Sequence, residues 1–127
     1  MSDGERLLAQ GEALAEKLFG NKLGDVADLP LSAGDDFPKE IVTWLFGYLL
    51  SERKHLTLQQ KLLCLISMCT VRRDTDMLRR WIPAARQAGC SREEIRETMI
   101  TMLVYGGWPA ARASLEILAE VWPGAPT

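Results

Sequence analysis

Two segments of this sequence are apolar on nearly every side, and a chain of 127 residues offers few neighbours to cover them. The first, 57–71, holds Leu62, Leu63, Cys64, Leu65, Ile66, Met68 and Cys69; the second, 91–105, holds Ile95, Met99, Ile100, Met102, Leu103 and Val104. Each opens on a capping box, Thr57-Leu58-Gln59-Gln60 and Ser91-Arg92-Glu93-Glu94. In such a box the hydroxyl accepts from an amide of the first turn while the Gln or Glu reaches back to the cap amide. A helix without a polar face belongs in the centre of a fold. The length allows one domain, spanning 1–127, with a single core. The sequence therefore predicts a homo-oligomer, in which leftover apolar faces are buried against further copies of the chain.

The remaining punctuation is helical as well. Asp3 to Phe19 carries Leu7, Leu8, Leu14, Ala15 and Leu18 at helical spacing, and Gly20 suits a left-handed stop. The stretch 21–34 contains Gly24, Pro30 and Gly34 and reads as a loop. Asp36 is placed to cap a helix with Pro38 in its first turn, running through Ile41, Trp44, Leu45, Tyr48 and Leu49. Asp74 or Thr75 caps the next helix, which ends near Gly89 and should kink or open at Pro83. Gly106-Gly107 breaks the second apolar helix, Pro109 starts the last one, and 123–126 form a short tail. No segment alternates with period two, so the expected fold is all-α with about six helices. The segments 57–88 and 91–121 read as a loose duplication of a helical hairpin.

Composition narrows the function classes. The formal net charge of −2 lacks the basic excess of a nucleic-acid binder. No apolar run approaches the roughly 20 residues of a membrane span, and the polar, acid-bearing start does not read as a secretory signal. The cysteines, Cys64, Cys69 and Cys90, are odd in number and form no CxxC pair. Cys64 and Cys69 read as core residues, and a reducing cytoplasm is the expected compartment. With one histidine, His55, neither a metal site nor a Ser-His-Asp triad is expected, and no cofactor is implied.

The last third of the chain carries a recognisable pattern. Gly89-Cys90-Ser91-Arg92-Glu93-Glu94-Ile95-Arg96-Glu97 is followed by Tyr105-Gly106-Gly107-Trp108-Pro109-Ala110-Ala111. These motifs resemble the carboxymuconolactone decarboxylase family, which reads G-x-[ST]-x-x-E-[IL]-x-E and then Y-x-G-x-P-A-A. Gly11-Glu12 and Phe46-Gly47, upstream of a long apolar helix, are similar too. The resemblance implies an all-α, alkylhydroperoxidase D-like fold, a homotrimer or homohexamer, and cofactor-free lyase chemistry on a small-molecule substrate.

The family's functional groups are largely replaced here. The thiol peroxidase branch has C-x-x-C-x-x-x-H where this chain has Asp74, Met77 and Trp81, and its relay glutamate falls at or near Leu62. Thiol peroxidase chemistry by that route is excluded, because it needs a thiol pair. The decarboxylase branch has histidines where Trp81 and Thr101 stand, and arginines matching Leu58 and Lys61. An indole offers one N–H donor and a broad apolar face, not a proton shuttle. The resemblance thus implies a more aromatic, less charged pocket for a hydrophobic, ring-bearing metabolite of secondary metabolism. Decarboxylation, cyclisation, isomerisation and dehydration all remain open, beside a non-catalytic oligomer that binds a small molecule or serves as a scaffold.

Four residues are candidates for catalysis. Lys61 matches a family arginine and suits an oxyanion; Tyr105 has a hydroxyl within the second motif; Glu97 carries a carboxylate one turn beyond the cap; and His55 is a loop imidazole that can act as acid or base at a pocket mouth. Candidate substrate contacts are Trp81, Trp44, Tyr48, Phe46, Thr101 and Trp108, with Arg80 for an anionic group. Against these stand plainer roles: a structural Y-x-G-x-P-A-A motif, Glu94 as a cap, and salt-bridged arginines at 72–80.

Overall fold

A computed structural model describes residues 1–23 and 37–124. Among them the chain forms six α-helices and one π-helix, with no strand, so the all-α expectation is met. The contacts gather into two compact units, Met1–Leu58 and Gln59–Thr127. Most of the loop read at 21–34, the Asp36 cap and the end of the tail lie outside the described residues.

In the first unit, α1 (Asp3–Phe19) begins where the Ser2 hydroxyl accepts from the Glu5 amide at 3.1 Å, and stops at Gly20, with φ of 82°. Asp3 and Glu5 in its first turn and Lys17 in its last complement the helix dipole. A short α2 (Phe37–Ile41) leads into the π-helix π1 (Val42–Glu52). The sequence predicts one continuous α-helix here, and the wider coil is a correction. Its bonding reaches five residues back: the Arg53 amide donates to the Tyr48 carbonyl at 3.2 Å, and the Ser51 hydroxyl to the Phe46 carbonyl at 2.6 Å. Val42, Phe46, Gly47 and Leu50 are its buried residues, and the Phe46 ring meets Phe19 edge-on at 5.9 Å. An ion pair joins Arg6 to Glu52.

The second unit takes up the chain along α3 (Leu58–Arg72). Within a single copy this helix is only partly covered. Only Leu62, Ile66 and Thr70 are buried, a stripe with spacing of four, while Cys64, Met68 and Val71 are exposed. Asp74 caps α4 (Thr75–Gln87) as predicted, accepting from the Met77 amide at 3.2 Å. The helix does not open at Pro83 but continues to Gln87, and Gly89 then takes φ of 103°. Leu78, Trp81, Ile82, Ala84 and Ala85 form its buried face.

Both halves of the second capping box are present: the Ser91 hydroxyl accepts from the Glu94 amide at 3.0 Å, and the Ser91 amide donates to the Glu94 carboxylate at 2.8 Å. The helix it opens, α5 (Arg92–Thr101), is shorter than the 91–105 expected, because Met102 flattens to φ −68°, ψ −9°. In α6 (Leu103–Val121) the break falls at Gly107, whose φ of 82° and ψ of 167° suit glycine alone. Pro109 follows at the start of the longer half, as predicted. Arg79 of α4 pairs with Glu120 of α6 at 2.7 Å. No helix among the described residues is long and apolar enough to cross a membrane.

Candidate functional site

The incomplete burial of α3 leaves a groove beside it. On α5, Glu94, Glu97, Thr98 and Thr101 stand at i, i+3, i+4 and i+7, which is one face of a helix. Opposite them α3 presents Leu63, Cys64 and Ser67, and Met102 closes the end. The groove is open, with a volume of about 470 Å³, within the usual range for small-molecule sites.

Its polar groups are arranged alike. The Ser67 hydroxyl donates to the Cys64 carbonyl at 2.6 Å, Thr98 to the Glu94 carbonyl at 2.8 Å, and Thr101 to the Glu97 carbonyl at 2.8 Å. Each hydroxyl hydrogen is thus held by its own helix, which leaves the oxygen lone pairs for a ligand. Glu94 is engaged in its capping box, whereas the Glu97 carboxylate makes no hydrogen bond among the described residues. The lining residues include no Lys, Arg or His. Such a groove accepts protons and disfavours an anionic guest.

A strip of exposed apolar side chains lies in the same unit. Met68 and Val71 of α3 and Leu103, Val104, Tyr105 and Trp108 of α6 are all exposed, Val104 at 76% and Tyr105 at 96%. The two helices meet where Val71 packs on Gly106: a Cβ at that glycine would lie 3.5 Å from the Val71 Cγ2.

Of the residues singled out from sequence, the groove brings Glu97 and Thr101 together. Tyr105 and Trp108 stand on the apolar strip. Lys61 and Arg80 are half-buried, and Trp81, 6% exposed, is part of the α4 core. In the first unit His55 is exposed, Trp44 is 58% exposed, and Phe46 is buried against Phe19. The Tyr48 hydroxyl accepts from the Arg53 Nη1 at 3.1 Å. Sequence reasoning missed Cys64, Ser67 and Thr98. Cys64, expected in the core, is exposed on the groove. The signal was the hydroxyl and acid spacing of α5, which the capping motif overshadowed.

Burial, then the charge of Asp74, pushes the Cys69 thiol up to about 11, against the opposing pull of Arg72. Cys90 is raised in the same way by burial and then by Glu94, and its Sγ lies 3.7 Å from the Gln59 carbonyl oxygen. Neither supplies a thiolate at neutral pH. Among the described residues no group of His, Cys, Asp and Glu side chains could hold a metal ion.

Comparison with known protein families matches residues 37–120, more than half of the chain, to the carboxymuconolactone decarboxylase family. The chain belongs to the carboxymuconolactone decarboxylase family. No curated protein matches it. Asp74, Met77 and Trp81 have structural work here. Asp74 is the cap of α4, Met77 supplies the amide that the cap accepts, and Trp81 fills the core. The Tyr105-Gly106-Gly107-Trp108-Pro109 motif of the family forms the kink of α6, with Gly107 at its one non-helical position.

Proposed function

We propose that this protein is a cofactor-free enzyme of the lyase or isomerase type, acting on a small, hydrophobic, ring-bearing metabolite, with a second copy of the chain closing the groove. The observation that carries this reading is the groove between α3 and α5, in which Glu97 is an unengaged carboxylate above an apolar, acceptor-lined floor. A carboxylate in such surroundings suits proton transfer at a carbon beside a carbonyl. In an isomerisation Glu97 takes the proton from one carbon and returns it to another. In a decarboxylation the carbon–carbon bond breaks, its electron pair passes into the enolate, carbon dioxide leaves, and water entering the open groove supplies the proton to carbon.

The developing oxyanion needs a donor that the groove itself lacks. Lys61 and the Tyr105 hydroxyl are the proposed donors, with Tyr105 reaching across from a second copy in a homotrimer or homohexamer. The exposed strip supports that association, since monomers rarely leave so large an apolar surface in water. Thr101 and Trp108 are proposed contacts for the substrate. The three free cysteines support a reducing cytoplasm. Nothing in the charge balance calls for a nucleic acid.

Native mass spectrometry of the freshly purified protein reads the subunit count and the mass of any retained compound together. The expected result is a trimer or hexamer that turns over the retained compound, with Glu97→Gln reducing turnover by about a hundredfold or more. A monomer, or a Glu97→Gln variant of undiminished activity, overturns the reading.

A further inference from the structure

A second cleft, of about 660 Å³, lies where the end of α4, the start of α5 and the chain beyond α6 come together, and Arg86, Arg92 and Trp122 line it. Arg92 is the first residue of α5, the end of a helix at which a cation is disfavoured. Its guanidinium is nevertheless fixed. The Nε–H donates to the Trp122 carbonyl at 2.6 Å, and Gly124 packs so close that a Cβ there would lie 3.2 Å from the guanidinium. Arg86 is held by the same residue, with its guanidinium carbon 4.4 Å from the centre of the Trp122 ring.

Three other arginines pair with acids: Arg6 with Asp3 and Glu52, Arg79 with Asp76 and Glu120, and Arg112 with Glu116. Arg86 and Arg92 have no such partner among the described residues. The acids nearby do not neutralise them: Glu94 is committed to the Ser91 amide, and Glu93, on the cleft wall, makes no ion pair with either. Two guanidinium groups held on Trp122 line one cleft, each with terminal N–H donors to spare, the donors that an oxyanion takes.

We infer that this cleft binds an oxyanion group, the phosphate or carboxylate of a small molecule. The site is separate from the groove of the proposed reaction, and Trp122 lies beyond the residues matched to the family. The two readings therefore fail independently.

The test is a two-dimensional amide NMR titration at constant ionic strength, one arm with sodium phosphate, the other with sodium acetate, and sodium chloride as the reference. Saturable shifts at Arg92, Glu93 and the Trp122 indole are expected in at least one arm, and the tighter arm names the group. Arg86→Gln should weaken binding by roughly tenfold, and so should Arg92→Gln. Glu93→Gln should tighten binding, because it removes a carboxylate from the cleft wall. An unchanged amide spectrum outside the cleft shows that each variant is folded. The inference is overturned if neither anion shifts these signals beyond the chloride reference, or if both arginine variants bind like the parent.

Discussion

Gly47 lies against the carbonyl of Leu7 so closely that a single methyl group on it would collide with the Leu7 oxygen. The contact is reciprocal along the same pair of helices: a Cβ on Gly11 would strike the Val42 carbonyl and come within 2.9 Å of the Gly47 nitrogen. In both cases the obstacle is backbone, which cannot rotate aside as a side chain can. Gly47→Ala and Gly11→Ala should each destabilise the protein by about 1–3 kcal/mol or more, measured by urea unfolding. Gly4→Ala, in the exposed first turn of α1, has only the Ser2 Oγ at 4.0 Å as a neighbour. It should change stability in the opposite direction, by up to about 1 kcal/mol.

This crossing also shows what could be read from sequence and what could not. Gly11-Glu12 and Phe46-Gly47 were visible as a resemblance, but a glycine in a string does not say which backbone it admits. Caps were legible because their partners lie three residues apart: Asp74 with Met77, and Ser91 with Glu94. The end of α5 at Thr101 was not, since Ile100, Met102, Leu103 and Val104 continue the apolar pattern across it. The same excess of apolar residues hid the groove. With nearly every face of α3 hydrophobic, spacing could not tell buried Leu62 and Ile66 from exposed Cys64 and Met68. On α5, where the composition is mixed, Glu97 and Thr101 could be picked out, and the groove brings those two together.

Asp74 caps α4, its carboxylate accepting from the Met77 amide. Asp74→Cys would remove the carboxylate that accepts from the Met77 amide. It should cost about 0.5–2 kcal/mol in thermal or urea unfolding. Asp74→Asn, which keeps a cap acceptor, should lose far less. Equal losses in the two variants would show that charge, not capping, is what Asp74 contributes.

The thiols should separate by reactivity. Cys64 is exposed, Cys90 is buried, and Cys69 is pushed up to about 11 by burial and the neighbouring Asp74. Alkylation with iodoacetamide at pH 8, followed by peptide mass spectrometry, should label Cys64 first and leave Cys69 and Cys90 largely intact. The raised Cys69 value also links to stability. The folded state holds the Cys69 proton more tightly than the unfolded chain, so this contribution is fully present below pH 9. It is lost progressively as pH rises from 9 through about 11. A Cys69→Ala variant should lack that alkaline decline.

The exposed strip on α3 and α6 makes the sharpest prediction about assembly. Val104 and Tyr105 project almost wholly into solvent, and Met68, Val71, Leu103 and Trp108 extend the same apolar surface. Burying a side chain of this kind is worth about 1.5–3 kcal/mol, which counts toward association against the roughly 4–15 kcal/mol of freedom lost when copies meet. Val104→Asp places a charge among these exposed apolar residues without touching the core of a single copy. Sedimentation velocity should find it mostly monomeric at concentrations where the parent protein is expected to form the proposed trimer or hexamer. Ala119→Asp, at an exposed position nearer the far end of α6, should leave the subunit count unchanged. If the groove is completed by a neighbour's Tyr105, the Val104→Asp monomer should also lose turnover while keeping its helical circular dichroism. A monomer of full activity would show that each chain carries its whole site.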